Sequence, residues 1–339
     1  MANVTVVIPL YNKGPYILRA LRSVLNQRYQ DFEVIIVDDG STDNSAELAE
    51  SFGDARFHVI HQKNAGPGAA RNRGIAETKT SLVAFLDADD EWGPEYLGTA
   101  VRAFEENPKL GCLTQGFFDE PGRRPSRTLW SRRGVREGIQ PMGEQTPLTL
   151  HYLVAYINSQ GTVAQTELVR KWGGFYEHRC TYGEDSFLWL KFLLHEQVGI
   201  SMCETMSIHR EASDLNFPGQ KKSRPIEPFL RHPEQIIEIC PPALLPLLRN
   251  FFALRAFKAA CVLGYFGEWR RAAELRNTFR QPGDYRIPWF FSSWVCSTPI
   301  GAGLGIAWQA LNSLRGAPEE KHPSSVSQKT EPDGVAAAR

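Results

Sequence analysis

Three aspartates within one short stretch are the strongest chemical signal in the sequence. Asp87, Asp89 and Asp90 directly follow SLVAFL, residues 81–86, an apolar run typical of a fully buried strand. Carboxylates this close repel one another and are costly to bury, so positive charge must gather near them. The positive charge could come from a metal ion or from arginine side chains. Alternatively, water alone could solvate the carboxylates. Carboxylates without thiols or a histidine cluster favour Mg²⁺ or Mn²⁺, which would complete its shell with substrate phosphates.

Strand-like and helix-like segments alternate through the first hundred residues. The patterns predict strands at 4–9, 33–37, 56–60 and 81–86, and helices at 16–27, 42–52, 67–77 and 94–106. This alternation predicts an α/β fold with a doubly wound, parallel sheet and right-handed crossovers. Ligands bind such sheets beyond the carboxyl ends of the strands.

Polar residues follow every one of these predicted strands. They are Tyr11 and Asn12, Asp38 and Asp39, Asn64 and Gly66, and the three aspartates after residue 86. Any one of them alone is more often a turn or cap residue than a functional one. Their coincidence at one edge of one sheet predicts a ligand site there.

Composition and charge exclude several classes of protein. The chain has 339 residues, of which 42% are hydrophobic and 22% charged, as in soluble proteins of one large or two modest domains. Basic and acidic residues balance at 38 each, so nothing points to nucleic acid as a partner. The six cysteines form no CxxC pair, which suits a reducing compartment and argues against structural zinc. The first strand begins at Val4, which leaves no room for a signal peptide, so we expect a cytoplasmic protein.

Four motifs in the first hundred residues resemble those of the inverting family 2 glycosyltransferases, which have the nucleotide-sugar-binding GT-A fold. The motifs are VVIPLYNKGPYILRALRSVLNQ, FEVIIVDDGSTDNS, NAGPGAARNRGI and VAFLDADDEW. The resemblance is dense from residue 4 to about 92 and returns at GGFYEHRCTYGEDSFLWLKF, residues 173–192. A lone DxD motif would be weak evidence, whereas several motifs in the same order are specific. The expected fold is therefore a GT-A type α/β fold, with a doubly wound, mixed, mainly parallel sheet and a helical C-terminal extension.

The resemblance also implies roles for individual residues. Asp87 and Asp89 would form the DxD pair that holds Mn²⁺ or Mg²⁺ and the diphosphate, and Asp185 would be the catalytic base. The donor-binding residues implied in addition to Asp87 are Pro9, Tyr11, Asp39, Arg71 and Ala88.

The chemistry of the nucleotide-site residues agrees with these roles. Asp39 can accept a hydrogen bond from the imide N–H of uracil, which makes a UDP-sugar the preferred donor, while Asp38 would cap the turn. Arg71 lies in a helix that opens with small residues, so a ligand could approach it closely; the alternative is a solvated helix face, as we expect for Arg73. Asp90 would either support the metal ligands or cap the next helix.

Asp185 lies in the sequence Tyr-Gly-Glu-Asp at the predicted start of a helix, residues 182–185. An acidic pair at that place is often only a favourable cap. Gly183 and the matching motif favour catalysis, because inverting transfer needs one carboxylate to take the proton of the acceptor hydroxyl. Glu184 would then be a positioning or capping neighbour.

Later segments are less regular. Residues 119–147 are rich in Arg, Pro and Gly and predict mainly a solvated loop with possible acceptor or membrane contacts. His209 and Arg210 could approach the diphosphate or simply be exposed. Residues 287–314 carry no charge and exceed the ~20 residues that span a bilayer, but Pro and Gly interrupt them. In-plane membrane attachment, a buried cap and a true span are the three interpretations, of which the span is the least favoured.

These observations predict a division of the chain and a function. The domains would be a catalytic domain at 1–215, a linker at 216–242, a helical region at 243–316 for which membrane association is one interpretation, and a disordered tail at 317–339. The expected function is metal-dependent, inverting sugar transfer from a nucleotide sugar to a glycan or lipid-linked acceptor, as in cell-surface polysaccharide biosynthesis. Localisation would be cytoplasmic, with peripheral attachment to the cytoplasmic membrane face as a further hypothesis. The alternatives are a non-catalytic nucleotide-sugar-binding protein and a sugar-phosphate nucleotidyltransferase, although the Gly-rich phosphate loop of the latter is absent after Val4–Leu10.

Overall fold

One mixed sheet of ten strands forms the centre of the computed structural model, which describes residues 3–178, 180, 182–212, 225–280 and 290–314. The strands are β1 Val4–Leu10, β2 Phe32–Asp38, β3 Phe57–His61, β4 Leu82–Phe85, β5 Glu91–Trp92, β6 Leu110–Glu120, β7 Arg124–Pro125, β8 Gly138–Ile139, β9 Thr162–Gln165 and β10 Gln197–His209. Along the sheet they follow the order β3-β2-β1-β4-β9-β6-β10-β5, with β7 beside β6 and β8 beside β10.

The long strand pairings are parallel. Strand β1 runs parallel to β2 and β4, β2 to β3, and β6 to β10, whereas the antiparallel pairings are short. Strand β1 is apolar except for Thr5 and packs against helix α3, and Val4, Val6 and Val7 are fully buried. The predicted mixed, mainly parallel α/β sheet is confirmed.

The helices of the first half lie where periodicity predicted them, within a few residues. They are α1 Gly14–Leu25, α2 Ser45–Glu50, α3 Pro67–Glu77 and α4 Tyr96–Glu106. The next four are α5 Ser126–Arg132, α6 Pro147–Tyr156, α7 Thr166–Lys171 and α8 Glu184–His195. In α8 the side chains predicted to pack inward, Phe187, Leu188, Leu190 and Phe192, are all buried.

The solvated loop predicted for residues 119–147 is only partly correct. Helix α5 lies inside it, anchored by Trp130, whose ring contacts Tyr156 edge-on with a centroid separation of 5.4 Å. A helix held by one large apolar side chain leaves no periodic pattern to detect. Two arginines of this segment are engaged by the protein itself: Arg127 donates to the carbonyl of Met202, and Arg133 lies over the Trp130 ring.

The C-terminal helices share the core of the sheet. They are α9 Pro228–Arg231, α10 Glu234–Ile237, α11 Leu245–Tyr265, α12 Trp269–Thr278, α13 Phe290–Cys296 and α14 Pro299–Leu314. The linker predicted at 216–242 is, in its described part from 225 onward, packed instead: Phe229 and Ile236 are fully buried in the same apolar cluster as Val4. Helix α11 packs against α6, α9, α12, α13 and α14. The predicted tail at 317–339 lies outside the described residues.

The uncharged segment at 287–314 forms two helices in its described part rather than one. Among the described residues, no helix is both long and apolar enough to cross a membrane. One face of α14 packs closely, since a Cβ on Gly305 would lie 2.8 Å from the Cα of Tyr265 in α11. Other residues of α13 and α14 are exposed apolar side chains: Trp294, Ile300, Leu304 and Ile306. We call these four residues the apolar face.

Helix α3 approaches β1 so closely that only glycine fits at the contact. A Cβ on Gly74 would lie 2.4 Å from Cγ1 of Val7 in β1. We predict that Gly74→Val lowers the free energy of unfolding by about 1–3 kcal/mol, because overpacking would push α3 from the sheet. Urea denaturation would measure it. Gly143→Val is the matched control, since a Cβ there meets nothing within 4 Å. Equal stability of the two variants would contradict this contact.

Candidate active site at the carboxyl edge of the sheet

The carboxyl ends of β1, β2 and β4 meet at one edge of the sheet, as the topology predicted. In the β1–β2 register Leu10 lies beside Asp38, and the next residues are Tyr11 and Asp39. Strand β4 is parallel to β1 on its other side and leads into Asp87. The sheet therefore brings together side chains from three separate motifs.

Asp39 is almost fully buried and holds the neighbouring loop. One carboxylate oxygen accepts from Nε2 of Gln62 at 2.7 Å and from the amide of Ala65 at 2.9 Å, and the other accepts from the amide of Gly66 at 2.8 Å. A carboxylate has about four acceptor positions, so one remains for a ligand. Asp38 accepts from the amide of Ser41 at 3.1 Å, which confirms the predicted turn contact.

The other predicted nucleotide-site residues lie in different environments. Tyr11 is 45% exposed at the end of β1, where its ring is accessible to a ligand. Pro9 is half-buried within β1. Ala88 is buried, so any contact it makes with a ligand would come from its backbone.

Asp87, Asp89 and Asp90 form a compact carboxylate cluster. One carboxylate oxygen from each lies within 4.8 Å of the others, which fits a single oxygen-liganded divalent cation. Burial raises the pKa of Asp89, and repulsion from Asp87 adds to it. Burial raises the pKa of Asp90 further, with both neighbours contributing. A cation bound nearby would therefore stabilise the ionised form of the cluster.

Two basic side chains supply part of that positive charge. The Nζ atom of Lys13 lies 3.0 Å from Oδ2 of Asp89 and also donates to the carbonyl of Ala212 at 2.8 Å. Nη2 of Arg71 donates to Oδ1 of Asp87 at 2.7 Å. The role of Lys13 was missed by the sequence analysis, because it lies in the loop after β1, far from the aspartates along the chain.

Arg71 also connects the cluster to helix α8. Its Nη1 atom donates to Oε1 of Glu184 at 2.9 Å, and the guanidinium is buried. Burial alone would lower its pKa, but Asp87 and Glu184 raise it. The alternative of a solvated helix face is therefore wrong for Arg71, whereas Arg73 is exposed as expected. Arg73 also pairs with Glu77.

Asp185 lies in the first turn of α8, directly after Glu184. The residue before the helix is Gly183, in the left-handed conformation at φ +74°, and no side chain caps the helix there. Burial raises the pKa of Asp185 to about 6, and Glu184 adds to it, while Arg71 opposes the rise. A carboxyl with such a pKa can take up a proton near neutral pH.

The end of β10 closes one side of the cluster. The amide of His209 donates to Oδ1 of Asp90 at 2.7 Å, and Nε2 of His209 lies 3.4 Å from Glu91. Nε of Arg210 donates to Asp119 at 2.7 Å. Asp90 thus fixes β10 and does not cap helix α4, whose N-cap residue is Glu95.

Comparisons with known proteins agree with this fold and site. Residues 5–159 match the family model described as Glycosyl transferase family 2. YibD of Escherichia coli K12, an uncharacterized glycosyltransferase, is 46% identical over 122 residues, which are 35% of this chain and 36% of YibD. The chain thus spans about a third of the length of such curated relatives. Residues 5–159 belong to family 2 of the glycosyltransferases.

Solved structures with the same fold cover far more of the chain. Staphylococcus aureus TarS 1–349 in complex with UDP-GlcNAc has a TM-score of 0.61 at 19% identity and covers 91% of this chain and 92% of TarS 1–349. The mannosyltransferase PcManGT of Pyrobaculum calidifontis, in complex with GDP-Man and Mn²⁺, has a TM-score of 0.54 at 19% identity over 91% of this chain and 87% of that one. The expected GT-A fold is confirmed.

The carboxylate cluster generates a prediction about metal binding. We expect Asp89→Asn to weaken Mn²⁺ binding at least about tenfold, because an amide oxygen replaces a charged ligand. Electron paramagnetic resonance of free Mn²⁺ would measure this. Asp31→Asn, which removes the same charge from an exposed loop, should leave the affinity unchanged. Unchanged Mn²⁺ affinity in Asp89→Asn would exclude Asp89 as a ligand.

Proposed function

We propose that this protein transfers a sugar from a nucleotide-sugar donor to an acceptor hydroxyl with inversion at the anomeric carbon. The observation that carries the proposal is that Arg71 pairs both with Asp87 of the carboxylate cluster and with Glu184, the residue directly before Asp185. The family match of residues 5–159 supports sugar transfer over nucleotidyl transfer. The nucleotide sugars bound by TarS and PcManGT support a donor of the same class.

The donor site would be formed by residues at the ends of β1 and β2. Asp39 has one acceptor position left, which suits the imide N–H of uracil, so a UDP-sugar is our preferred donor. Tyr11 is exposed beside it and would stack on the base. Pro9 and the backbone of Ala88 would complete the walls of this site.

Asp87 and Asp89 would hold Mn²⁺ or Mg²⁺, with Asp90 beside them. Such an ion, when bound, offsets the charge that develops on the departing diphosphate. Lys13 and Arg71 already face Asp89 and Asp87, so they offset part of the negative charge of the cluster and add positive charge to the donor site.

Asp185 would act as the base. It takes the proton of the acceptor hydroxyl while that oxygen forms a bond to the anomeric carbon, and the bond from this carbon to the diphosphate oxygen breaks. Glu184 does not share this role, because its carboxylate is engaged by Arg71. The Glu184–Arg71 ion pair instead holds the first turn of α8, and with it Asp185, beside the donor.

The acceptor would be a glycan or a lipid-linked saccharide, as in cell-surface polysaccharide biosynthesis. We propose that residues 1–215 carry the catalytic domain and that the helices of 243–316 complete it. The apolar face of α13 and α14 would place the protein on the cytoplasmic membrane surface without spanning it. This location suits a lipid-linked acceptor.

The raised pKa of Asp185 predicts how turnover depends on pH. A base must be deprotonated, so turnover at saturating substrate should be constant above the pKa of about 6. Below it, turnover should fall about tenfold per pH unit as Asp185 becomes protonated. Release of UDP from UDP-sugars, measured between pH 5 and 8 with a mixed glycan acceptor, would test this.

Asp185→Asn is the matching variant. It keeps the shape of the side chain but cannot accept a proton, so turnover should drop about 10²–10⁴-fold while UDP affinity changes little. Near-normal turnover in this variant would reduce Asp185 to a residue that stabilises the helix start.

The apolar face predicts binding to lipid vesicles. The double variant Ile300→Ser and Leu304→Ser should weaken binding to phosphatidylglycerol-containing vesicles at least about tenfold, because two large apolar side chains no longer insert. Vesicle co-sedimentation measures the bound fraction. The control is Leu129→Ser with Ile139→Ser, which removes two apolar residues that are 46% exposed outside this face. A wild-type protein that does not bind vesicles would refute membrane attachment, and an equal effect of both double variants would refute insertion through the apolar face.

A further inference from the structure

A cavity of about 260 Å³ lies beside the loop that leads into helix α8 and Asp185. Its walls include Tyr182, Ile226, Glu227, Arg255, Lys258 and Val262. Glu227 packs directly against this loop, since a Cβ on Gly183 would lie 3.2 Å from the Cγ atom of Glu227. Anything bound in the cavity would therefore be close to the chain segment that leads into Asp185, the residue that we assign to proton transfer.

The rear wall of the cavity contains a buried arginine. Arg255 lies in the middle of α11, between apolar residues, and only 8% of it is exposed. Its Nε atom donates to Oε2 of Glu227 at 3.3 Å, and its Nη2 atom donates to Oε1. Burial lowers the pKa of Arg255 to about 10. Burying this ion pair has a free-energy cost that a leucine at the same position would avoid.

A buried histidine lies between two cationic groups at this wall. Nδ1 of His151 is 3.1 Å from Nη1 of Arg255, and its Nε2 is 3.2 Å from Nζ of Lys258. Burial lowers the pKa of His151 to about 2, with Arg255 and Lys258 adding to the effect. The imidazole is therefore neutral and supplies no negative charge. Among the described residues that line the cavity, two cations face the single carboxylate of Glu227.

We propose that this cavity binds a phosphate or carboxylate group carried by the acceptor saccharide. The exposed Lys258, whose Nζ atom also contacts His151, would make the direct contact with the anion, and Arg255 would add positive charge behind it. Ile226 and Val262 would contact the C–H groups on one side of the sugar ring. The anion would then orient the acceptor hydroxyl toward Asp185. That the ligand is the acceptor rests on the proposed function, whereas anion binding in the cavity does not.

Calorimetric titration of three small ligands tests the inference directly. Glucose 6-phosphate, glucuronate and glucose are titrated into full-length protein saturated with UDP and Mg²⁺, so that the donor site is filled. At least one of the two anions should bind at least about tenfold more tightly than glucose, because a charge-assisted hydrogen bond is added. The tighter anion identifies phosphate or carboxylate as the preferred group. Equal affinity for all three ligands, or no binding of either anion, overturns the proposal.

A charge-removing variant locates the binding. Lys258→Met should weaken binding of the preferred anion about tenfold, because the charged donor at the mouth is lost. Lys109→Met, which removes an exposed lysine next to the start of β6, is the matched control and should leave it unchanged. Unchanged anion affinity in Lys258→Met overturns the assignment.

UDP affinity is measured on the same wild-type protein. If UDP does not bind, the proposed donor is wrong, and the anion titrations repeated without UDP still decide whether the cavity binds anions.

Discussion

The buried guanidinium of Arg71 is the contact on which the arrangement of the site depends. It donates to Asp87, at the end of a sheet strand, and to Glu184, at the start of a helix far along the chain. A buried charge is tolerated only with such partners, and the loss of one partner leaves the others uncompensated. Because the guanidinium is planar and does not lose its proton, it fixes the spacing between the aspartate cluster and the helix that presents Asp185.

Close packing decides how deeply Arg71 reaches into the site. Helix α3 lies against β1 through Gly74, and a Cβ on Gly68 would lie 2.5 Å from the carbonyl oxygen of Tyr176. Larger side chains at these two glycines would move the helix outward and separate the guanidinium from its partners. The electrostatic geometry of the site is thus set by steric contacts that carry no charge.

The C-terminal helices also help to hold the candidate site in place. Arg255 in α11 pairs with Glu227, and Glu227 packs on Gly183, so the loop before Asp185 is supported from a second side. The segment that matches the family ends at residue 159. Asp185 and this second ion pair lie beyond it, which means that a region outside the family match helps to hold the candidate base.

The sequence by itself determined the first four strands, the first four helices and the edge of the sheet at which polar residues gather. These depend on local periodicity and on residues that directly follow strands, and both can be read from neighbouring positions. Only the tertiary structure decided which charges meet. Two ion pairs join residues that are far apart along the chain: Lys13 with Asp89, and Arg71 with Glu184 across 113 residues. They form only when the helices and strands that carry these residues pack together. Helix α5 and the packed segment from residue 225 were also missed, because one buried tryptophan or phenylalanine gives no repeating pattern. Local periodicity specifies elements, whereas long-range ion pairs and single anchoring side chains are fixed only when those elements pack together.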